Sequence, residues 1–184
     1  SLSQLEEKKD WQDKLFGWFE PVSFHDLTVF PESADRDTAS DNSILIMPGR
    51  GYGTGNHATT SMCMNLLKDY IVPGIRMLDY GTGSGILSIA ALKWGAGSVY
   101  AIDNDPDAVE NASINFRINN VQEEVSLTCG SVAQVEGGSY PLVVANLNSW
   151  IIEGIFEEGL PELLSSGGKM ILSGIRVDTV EEIS

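Results

Sequence analysis

The chain has 184 residues, 42% of them hydrophobic and 20% charged, which is typical of a globular domain that buries a substantial core. Its formal net charge of −15 at pH 7 argues against an extended nucleic-acid surface, which needs clustered Lys and Arg, but suits a small-molecule substrate or a basic protein partner. The apolar runs "SILIM" and "LVVA" are too short to span a bilayer, and the charged start "SLSQLEEKKDWQDK" is unlike a secretory signal. We therefore expect a cytoplasmic protein with no membrane partner and no direct nucleic-acid partner.

The N-terminal part of the chain predicts a helix followed by a small β region. Trp11, Leu15, Trp18 and Phe19 recur at helical spacing, which indicates an amphipathic helix. Two short β-type runs follow, "SFHDLTVF" and "SILIM", and they flank the polar, turn-rich stretch "PESADRDTASDN". We interpret this region as a helix with a β-hairpin extension. The next segment, "ATTSMCMNLLKDYI", has helical periodicity.

From residue 75 onward, strands and helices alternate. Strands are predicted at "IRMLDY", "SVYAI", "EVSLTC", "PLVVAN" and "GGKMILSGI". Helices are predicted at "GILSIAALKW", at "PDAVENASINFRIN", from about Ser149 to Leu164, and at "DTVEEIS" with Asp178 as its cap. This alternation predicts an α/β fold with a doubly wound, mostly parallel sheet covered on both faces.

The four letters YGTG occur twice, and the second copy, "LDYGTGSGILSIA", has the form of a ligand-binding turn. It ends a predicted strand, turns through Gly81, Gly83 and Gly85, and opens a helix, at the edge where doubly wound sheets bind ligands. A dinucleotide fingerprint is the obvious competitor, but it requires Gly where this chain has Ile86. Asp79, two residues before the glycines, suits an ammonium group such as that of S-adenosylmethionine better than a pyrophosphate, which it would repel.

Asp103 closes the next predicted strand, 22 residues after Gly81. A carboxylate at this place accepts bidentate hydrogen bonds from a ribose diol, whichever nucleotide cofactor is bound. The two cysteines, Cys63 and Cys129, show neither C-x-x-C spacing nor a neighbouring cluster of ligands. We interpret them as buried thiols in a reducing compartment, and we expect no metal site.

Taken together, these residues resemble the class I S-adenosylmethionine-dependent methyltransferases, and more closely the ribosomal protein L11 methyltransferase family. Three stretches carry the resemblance: "GYGTGNHATT", "LDYGTGSGILSIAALKWGAGSVYAIDNDPDAVENASINFRIN" and "LVVANLNSWIIEGIFEEGLPELLSSGGKMILSGI". The resemblance implies a Rossmann-like fold and transfer of methyl groups from S-adenosylmethionine to α-amino and Lys ε-amino groups of a protein, ribosomal protein L11.

The resemblance also implies a set of site residues. Matched to the family's motifs, the cofactor contacts are Thr60, Gly81, Asp103 and Asn146, and Asp79 and Gly83 join them from the glycine turn itself. Both YGTG loops then serve one ligand, the second as its floor and the first as its cover. Asn146 is also the predicted catalytic residue, because its side-chain carbonyl or the neighbouring backbone carbonyl could accept an amine N–H beside the methyl group and aim the lone pair; the sequence indicates no dedicated base.

Two further side chains have competing interpretations. His57 is a tempting base, but an ordering role for its loop is favoured. Trp150 could stack on a substrate, although core packing of the helix that follows is favoured. Gly130 and Ser131, after the third strand of the alternating region, are weaker candidates for the adenine.

The resemblance also suggests a division of the chain. Residues 1–57 would form the helix and β extension with the covering loop, and residues 58–184 the cofactor-binding catalytic domain. Family members carry an N-terminal recognition domain and further C-terminal strands, so we expect a fragment with an unpaired sheet edge that favours homodimers.

Other functions stay open at this stage. A small-molecule N-methyltransferase fits the same cofactor residues. A nucleic-acid N-methyltransferase would normally show Asn/Asp-Pro-Pro-aromatic where this chain has "NLNS". A non-catalytic S-adenosylmethionine-binding module would keep the pocket without turnover.

Overall fold

The computed structural model describes residues 21–34, 40–47, 49 and 57–174. Three predictions lie outside the described residues: the amphipathic helix in residues 1–20, the first YGTG loop, and the helix at "DTVEEIS".

The described residues contain eight strands and four α-helices. The strands are β1 (Val22–Phe24), β2 (Leu27–Pro31), β3 (Ser43–Ile46), β4 (Arg76–Tyr80), β5 (Ser98–Asp103), β6 (Val125–Cys129), β7 (Tyr140–Asn146) and β8 (Leu164–Ser173). The helices are α1 (Ala58–Tyr70), α2 (Ile86–Lys93), α3 (Pro106–Ile118) and α4 (Ser149–Glu157), with short 3-10 turns at Val132–Gln134 and Leu160–Leu163.

Five strands form a parallel sheet in the order β6-β5-β4-β7-β8. The chain runs outward from β4 through β5 to β6, then returns to the other side of β4 and continues through β7 to β8. The strand order therefore reverses between β4 and β7, and a crevice opens there at the carboxyl ends of the strands. This arrangement confirms the predicted Rossmann-like, doubly wound sheet.

The hydrophobic pattern of the strands explains why helices lie on both faces. Successive residues of β4 point to opposite sides, so Met77 enters one buried cluster and Leu78 the other. The first cluster receives apolar residues of α1, α2 and α3, and the second receives Ile155 of α4. The core is thus split into two layers, one on each face of the sheet.

A second, three-stranded sheet precedes α1, in the order β1-β2-β3. The hairpin lies within the single run "SFHDLTVF", where His25 takes a φ of 53° at the turn between the antiparallel strands β1 and β2. β2 and β3 are parallel, so the polar stretch between them does not form a hairpin loop. This sheet shares the first hydrophobic cluster with α1 and α2. The division of the chain at residue 57 stays a prediction.

The helix expected from Ser149 to Leu164 is shorter, which corrects its predicted end. α4 ends at Glu157, because Gly159 takes a left-handed φ of 98° and the chain then makes a 3-10 turn before β8. None of the helices in the described part of the chain is long and apolar enough to cross a membrane.

Candidate cofactor site

A cavity of about 240 Å³ lies at the carboxyl ends of the central strands. Its walls come from the ends of β4 and β5, from the segment after β6, and from α4. The lining residues are Tyr80, Gly81, Asp103, Asn104, Ser131, Leu147, Trp150, Ile151, Gly154, Ile155 and Glu158. Sequence reasoning missed Tyr80, Asn104, Leu147 and Glu158, although the strand-end position of the first three was readable from the pattern.

The glycine turn after β4 begins at Gly81, which forms part of the floor of this cavity. Gly81, Gly83 and Gly85 have φ values of 74°, 54° and 79°, which side-chain-bearing residues rarely adopt. The N–H groups of Gly81 and Thr82 both donate to the carbonyl of Ile102, at 2.8 and 3.0 Å, so the turn is pinned to the end of β5. A Cβ on Gly81 would lie 2.5 Å from a methyl group of Leu147, so a side chain here would crowd the cavity wall.

Asp103 lies at the end of β5 and presents its carboxylate to the cavity. One oxygen accepts a hydrogen bond from the Gly83 N–H at 2.9 Å, and the other accepts from the Asp105 N–H at 3.0 Å. These two bonds fix the orientation of the carboxylate. Each carboxylate oxygen can accept a further hydrogen bond, so the group can still receive a vicinal diol.

Asp79 lies beneath the glycine turn and is only 1% exposed, and it does not line the cavity. Its Oδ2 accepts hydrogen bonds from the hydroxyls of Thr82 and Ser88 at 2.8 and 2.6 Å, whereas its Oδ1 is buried with no hydrogen-bond partner among the described residues. Burial raises the pKa of Asp79 to about 6, and the nearby Asp103 carboxylate adds to the rise, while the two hydroxyls oppose it. A buried carboxylate oxygen without a donor is suited to a cationic group.

Thr60 and Asn146 meet beside the cavity, although they come from different elements. Asn146 ends β7, and its amide nitrogen donates to the hydroxyl of Thr60, in the first turn of α1, at 3.3 Å. Neither residue lines the cavity itself. Ser173, the neighbour of Asn146 in the sheet, donates to the Thr59 carbonyl at 3.4 Å and belongs to the same corner. Sequence reasoning missed Ser173 as a member of this corner, because the only signal in the sequence was its position at the end of a predicted strand.

His57 and Ser131 take positions that the sequence had suggested. His57 is the N-cap of α1, where its Nδ1 lies 2.7 Å from the Thr59 hydroxyl and accepts from the Thr59 N–H. Its predicted role in ordering the preceding loop stays a prediction, since that loop lies outside the described residues. Ser131 lines the cavity.

Two side chains correct the predictions. Trp150 is 72% exposed and lines the cavity, so its expected role in core packing is wrong; Ile152 and Ile155 form the buried side of α4 instead. Cys129 is exposed at the end of the edge strand β6, while Cys63 is buried and desolvation raises the pKa of its thiol to about 11. No group of three His, Cys, Asp or Glu side chains in the described part of the chain could hold a metal ion.

Comparison with known proteins points to one family. A family model described as ribosomal protein L11 methyltransferase matches residues 1–184. A Bacillus cereus protein named ribosomal protein L11 methyltransferase is 40% identical over 171 residues, covering 91% of this chain and 54% of the relative. A Staphylococcus carnosus protein of the same name is 35% identical over 183 residues, covering 98% of this chain and 58% of the relative. The chain therefore spans a little over half the length of the curated relatives that it matches.

A solved structure agrees with these matches. The crystal structure of a ribosomal protein L11 methylase from Lactobacillus delbrueckii subsp. bulgaricus superposes with a TM-score of 0.79 at 30% identity. The alignment covers 90% of this chain and 85% of that one.

Proposed function

Since the chain belongs to the ribosomal protein L11 methyltransferase family, we propose that it binds S-adenosylmethionine at the carboxyl ends of β4, β5 and β7 and transfers its methyl group to amino groups of a protein, ribosomal protein L11. The observation that carries the proposal is the pairing of Asp103 with the glycine turn on the cavity floor. The site residues are Thr60, Asp79, Gly81, Gly83, Asp103 and Asn146, with Asn146 as the catalytic residue. The family's substrate also implies a cytoplasmic location.

The chemistry of the donor set fits this cofactor. Asp103 offers two aligned carboxylate oxygens to a ribose diol. Gly81 allows close approach of a ligand to the backbone, since a side chain there would meet Leu147. Asp79 does not line the cavity, but its Oδ1, which has no hydrogen-bond partner among the described residues, supplies negative charge beneath the glycine turn that favours an ammonium group. A dinucleotide pyrophosphate would instead be repelled by the same carboxylate.

The protein's task in the reaction is to align a neutral amine. When bound, the cofactor would supply a sulfonium methyl group, whose carbon an amine lone pair attacks in line while the S–C bond breaks and the neutral thioether leaves. An unperturbed lysine titrates near pH 10.4, so its ammonium must lose a proton before it can react. Because the Asn146 amide nitrogen is engaged by Thr60, its amide oxygen faces elsewhere and can accept an amine N–H. Asn146 thereby orients the nucleophile without acting as a strong base.

A protein substrate suits the surface around the site. Trp150 exposes an indole at the cavity wall, and exposed aromatic side chains are common anchors in binding surfaces. The net charge of −15 favours a basic partner, as proteins that bind ribosomal RNA generally are.

Calorimetry tests the cofactor assignment. We expect S-adenosylmethionine and S-adenosylhomocysteine to bind this chain, while NAD gives no heat of binding under the same conditions. Tighter binding of NAD than of S-adenosylhomocysteine would contradict the proposal.

Methyl transfer needs a separate assay. Purified ribosomal protein L11, labelled S-adenosylmethionine and either this chain or Asn146→Ala would be incubated, and the labelled residues identified by mass spectrometry. We expect label on amino nitrogens with this chain and a strongly reduced rate with the variant. Cofactor binding without labelling of any protein or small-molecule amine would instead support a non-catalytic binding module.

A further inference from the structure

Three asparagines, two on α3 and one at its C-cap, form hydrogen bonds with the outer edge of β3 and with Met47, the residue that follows it. Asn111, Asn115 and Asn119 are spaced four residues apart and therefore lie on one face of the helix. β3 is an edge strand whose inner side pairs with β2. On its outer side, Asn119 accepts from the Leu45 N–H at 2.9 Å and donates to the Leu45 carbonyl at 2.7 Å.

Asn115 and Asn111 make the same kind of contact with the backbone of Met47, two residues after Leu45. Asn115 accepts from the Met47 N–H at 2.8 Å, and Asn111 donates to the Met47 carbonyl at 3.1 Å. Four residues of an α-helix advance about 6.0 Å, and two residues of a strand advance about 6.6 Å, so the side chains match the strand's free backbone groups. Carboxamides suit this task because each carries both a donor and an acceptor.

Asn115 differs from the other two because it also contacts the glycine turn. Its amide nitrogen donates to the Ser84 carbonyl at 2.8 Å, and the side chain is fully buried. The peptide groups around Ser84 are held on both sides: the Gly83 N–H by Asp103, and the Ser84 carbonyl by Asn115. Among the described residues, the Asn119 amide bonds to Leu45 and to the Asn115 carbonyl and does not contact the glycine turn.

We propose that Asn115 is a positioning residue of the cofactor site, whose carboxamide ties the end of β3 to the Ser84 carbonyl and so holds the glycine turn in its ligand-binding conformation. The inference rests on the proposed function insofar as this turn binds the cofactor. A hydrocarbon at this position would remove the hydrogen bonds of the carboxamide to the Ser84 carbonyl and to the Met47 N–H. A carboxylate would still accept from the Met47 N–H, but it would lose the donors to the Ser84 and Met47 carbonyls and place an acceptor against the Ser84 carbonyl.

Three variants distinguish a role of Asn115 in positioning the glycine turn from a role in the overall stability of the fold. N115L removes both functions of the carboxamide. N115D keeps its size and its acceptor for the Met47 N–H, while losing the donor to the Ser84 carbonyl and the longer, 3.4 Å bond to the Met47 carbonyl. N119L is the matched control, because it breaks the same kind of contact to β3 without touching the glycine turn. Urea unfolding would confirm that each variant is folded under the assay conditions.

Hydrogen exchange of the unliganded chain gives the first measurement. We expect N115L and N115D to speed exchange in residues 81–85 by about tenfold or more, as loss of one buried hydrogen bond permits. N119L should speed exchange near Leu45 and leave residues 81–85 at the parent rate. Unchanged exchange in residues 81–85 for both Asn115 variants, or an equal increase in N119L, would overturn the proposal.

Calorimetry with S-adenosylhomocysteine gives the second measurement, the affinity of each variant for the ligand. We expect both Asn115 variants to bind about tenfold more weakly than the parent, and N119L to bind with the parent's affinity. Parent-like affinity in all three variants would overturn the positioning role. If the parent itself does not bind, the proposed function fails, while the exchange result still decides whether Asn115 holds the turn.

Discussion

Asp103 joins two tasks in one side chain, because it holds the glycine turn and faces the cavity. We expect Asp103→Ala to weaken S-adenosylhomocysteine binding by roughly 1.5–3 kcal/mol, the range for hydrogen bonds to a charged group. Calorimetry measures the change. Asp103→Asn is the matched control, since it keeps an acceptor of the same shape and should lose less. An unchanged dissociation constant in a folded Asp103→Ala variant would remove this residue from the site.

Asp79 should make both stability and cofactor affinity depend on pH. Its pKa is raised to about 6 in the folded chain, chiefly by burial, from a reference value of 3.8. Between these values the folded state binds more protons than the unfolded state, so this group's contribution to the free energy of unfolding falls as pH rises. At neutral pH, where the group is charged, that cost reaches about 3 kcal/mol.

Urea unfolding of the parent and of Asp79→Asn from pH 4 to pH 7 measures this cost. We expect the stability of the parent to fall relative to the variant as pH rises through about 6, and then to level off. A stability difference that stays constant over this range would show that Asp79 does not titrate there.

The same carboxylate predicts the pH dependence of binding. A bound ammonium stabilises the charged form of Asp79, so affinity for S-adenosylhomocysteine should decrease as pH falls below about 6. Asp79→Asn should bind more weakly at neutral pH and lose most of this dependence. Calorimetry at several pH values tests both points, and identical pH profiles for parent and variant would place the ammonium elsewhere.

The start of α2 depends on its close packing against α3. Gly85 has a φ of 79°, and a Cβ there would lie 2.5 Å from the Phe116 ring. Gly138 has a similar φ of 76° with nothing near its missing side chain, so it controls for backbone strain alone. We expect Gly85→Ala to lower the free energy of unfolding by about 1–3 kcal/mol more than Gly138→Ala does, which is the cost of overpacking. Equal losses in urea unfolding would mean that the ring moves aside freely.

Regular elements with strong periodicity could be predicted from the sequence, whereas contacts between elements could not. The pattern of buried positions located β4, β5 and β7, and the glycine turn between β4 and α2 followed from residue types with known backbone preferences. The exposure of Trp150 could not be read in the same way, because an apolar side chain at the start of a helix fits either a core or a cavity wall. The end of α4 was missed because Gly159 breaks a helical pattern that otherwise continues.

The α3 asparagines show the same limit for polar residues. Asn111, Asn115 and Asn119 have a visible four-residue spacing, but exposed helix faces often carry such residues. Only the approach of β3, from a distant part of the chain, reveals that they are buried or half-buried and bonded to backbone. Non-local partners of this kind are decided by tertiary packing, so local pattern alone does not indicate them.

For the molecule as a whole, charge is the property that most directly concerns a protein substrate. Lys and Arg number 11 against 26 Asp and Glu, so the chain attracts cationic partners over long range. Such attraction is screened as salt increases, with a Debye length of about 10 Å at 0.1 M ionic strength and about 3 Å at 1 M. The proposed cofactor contacts are different, because Asp79 is buried and the Asp103 hydrogen bonds lie at short range.

This difference predicts separate salt responses for the two ligands. Raising the salt concentration from 0.05 to about 0.5 M should increase the KM for ribosomal protein L11 several-fold, since steering of a basic protein by exposed charges is screened over that range. The dissociation constant of S-adenosylhomocysteine should change much less, because short contacts inside a cavity are screened weakly. Methylation kinetics and calorimetry on the same preparations provide both numbers, with a short peptide that carries no charged group other than its reacting amine as the control substrate. A KM for the ribosomal protein that is as insensitive to salt as cofactor binding would mean that the acidic surface takes no part in recruiting the substrate. Recognition would then depend on contacts such as the exposed Trp150 indole at the cavity wall.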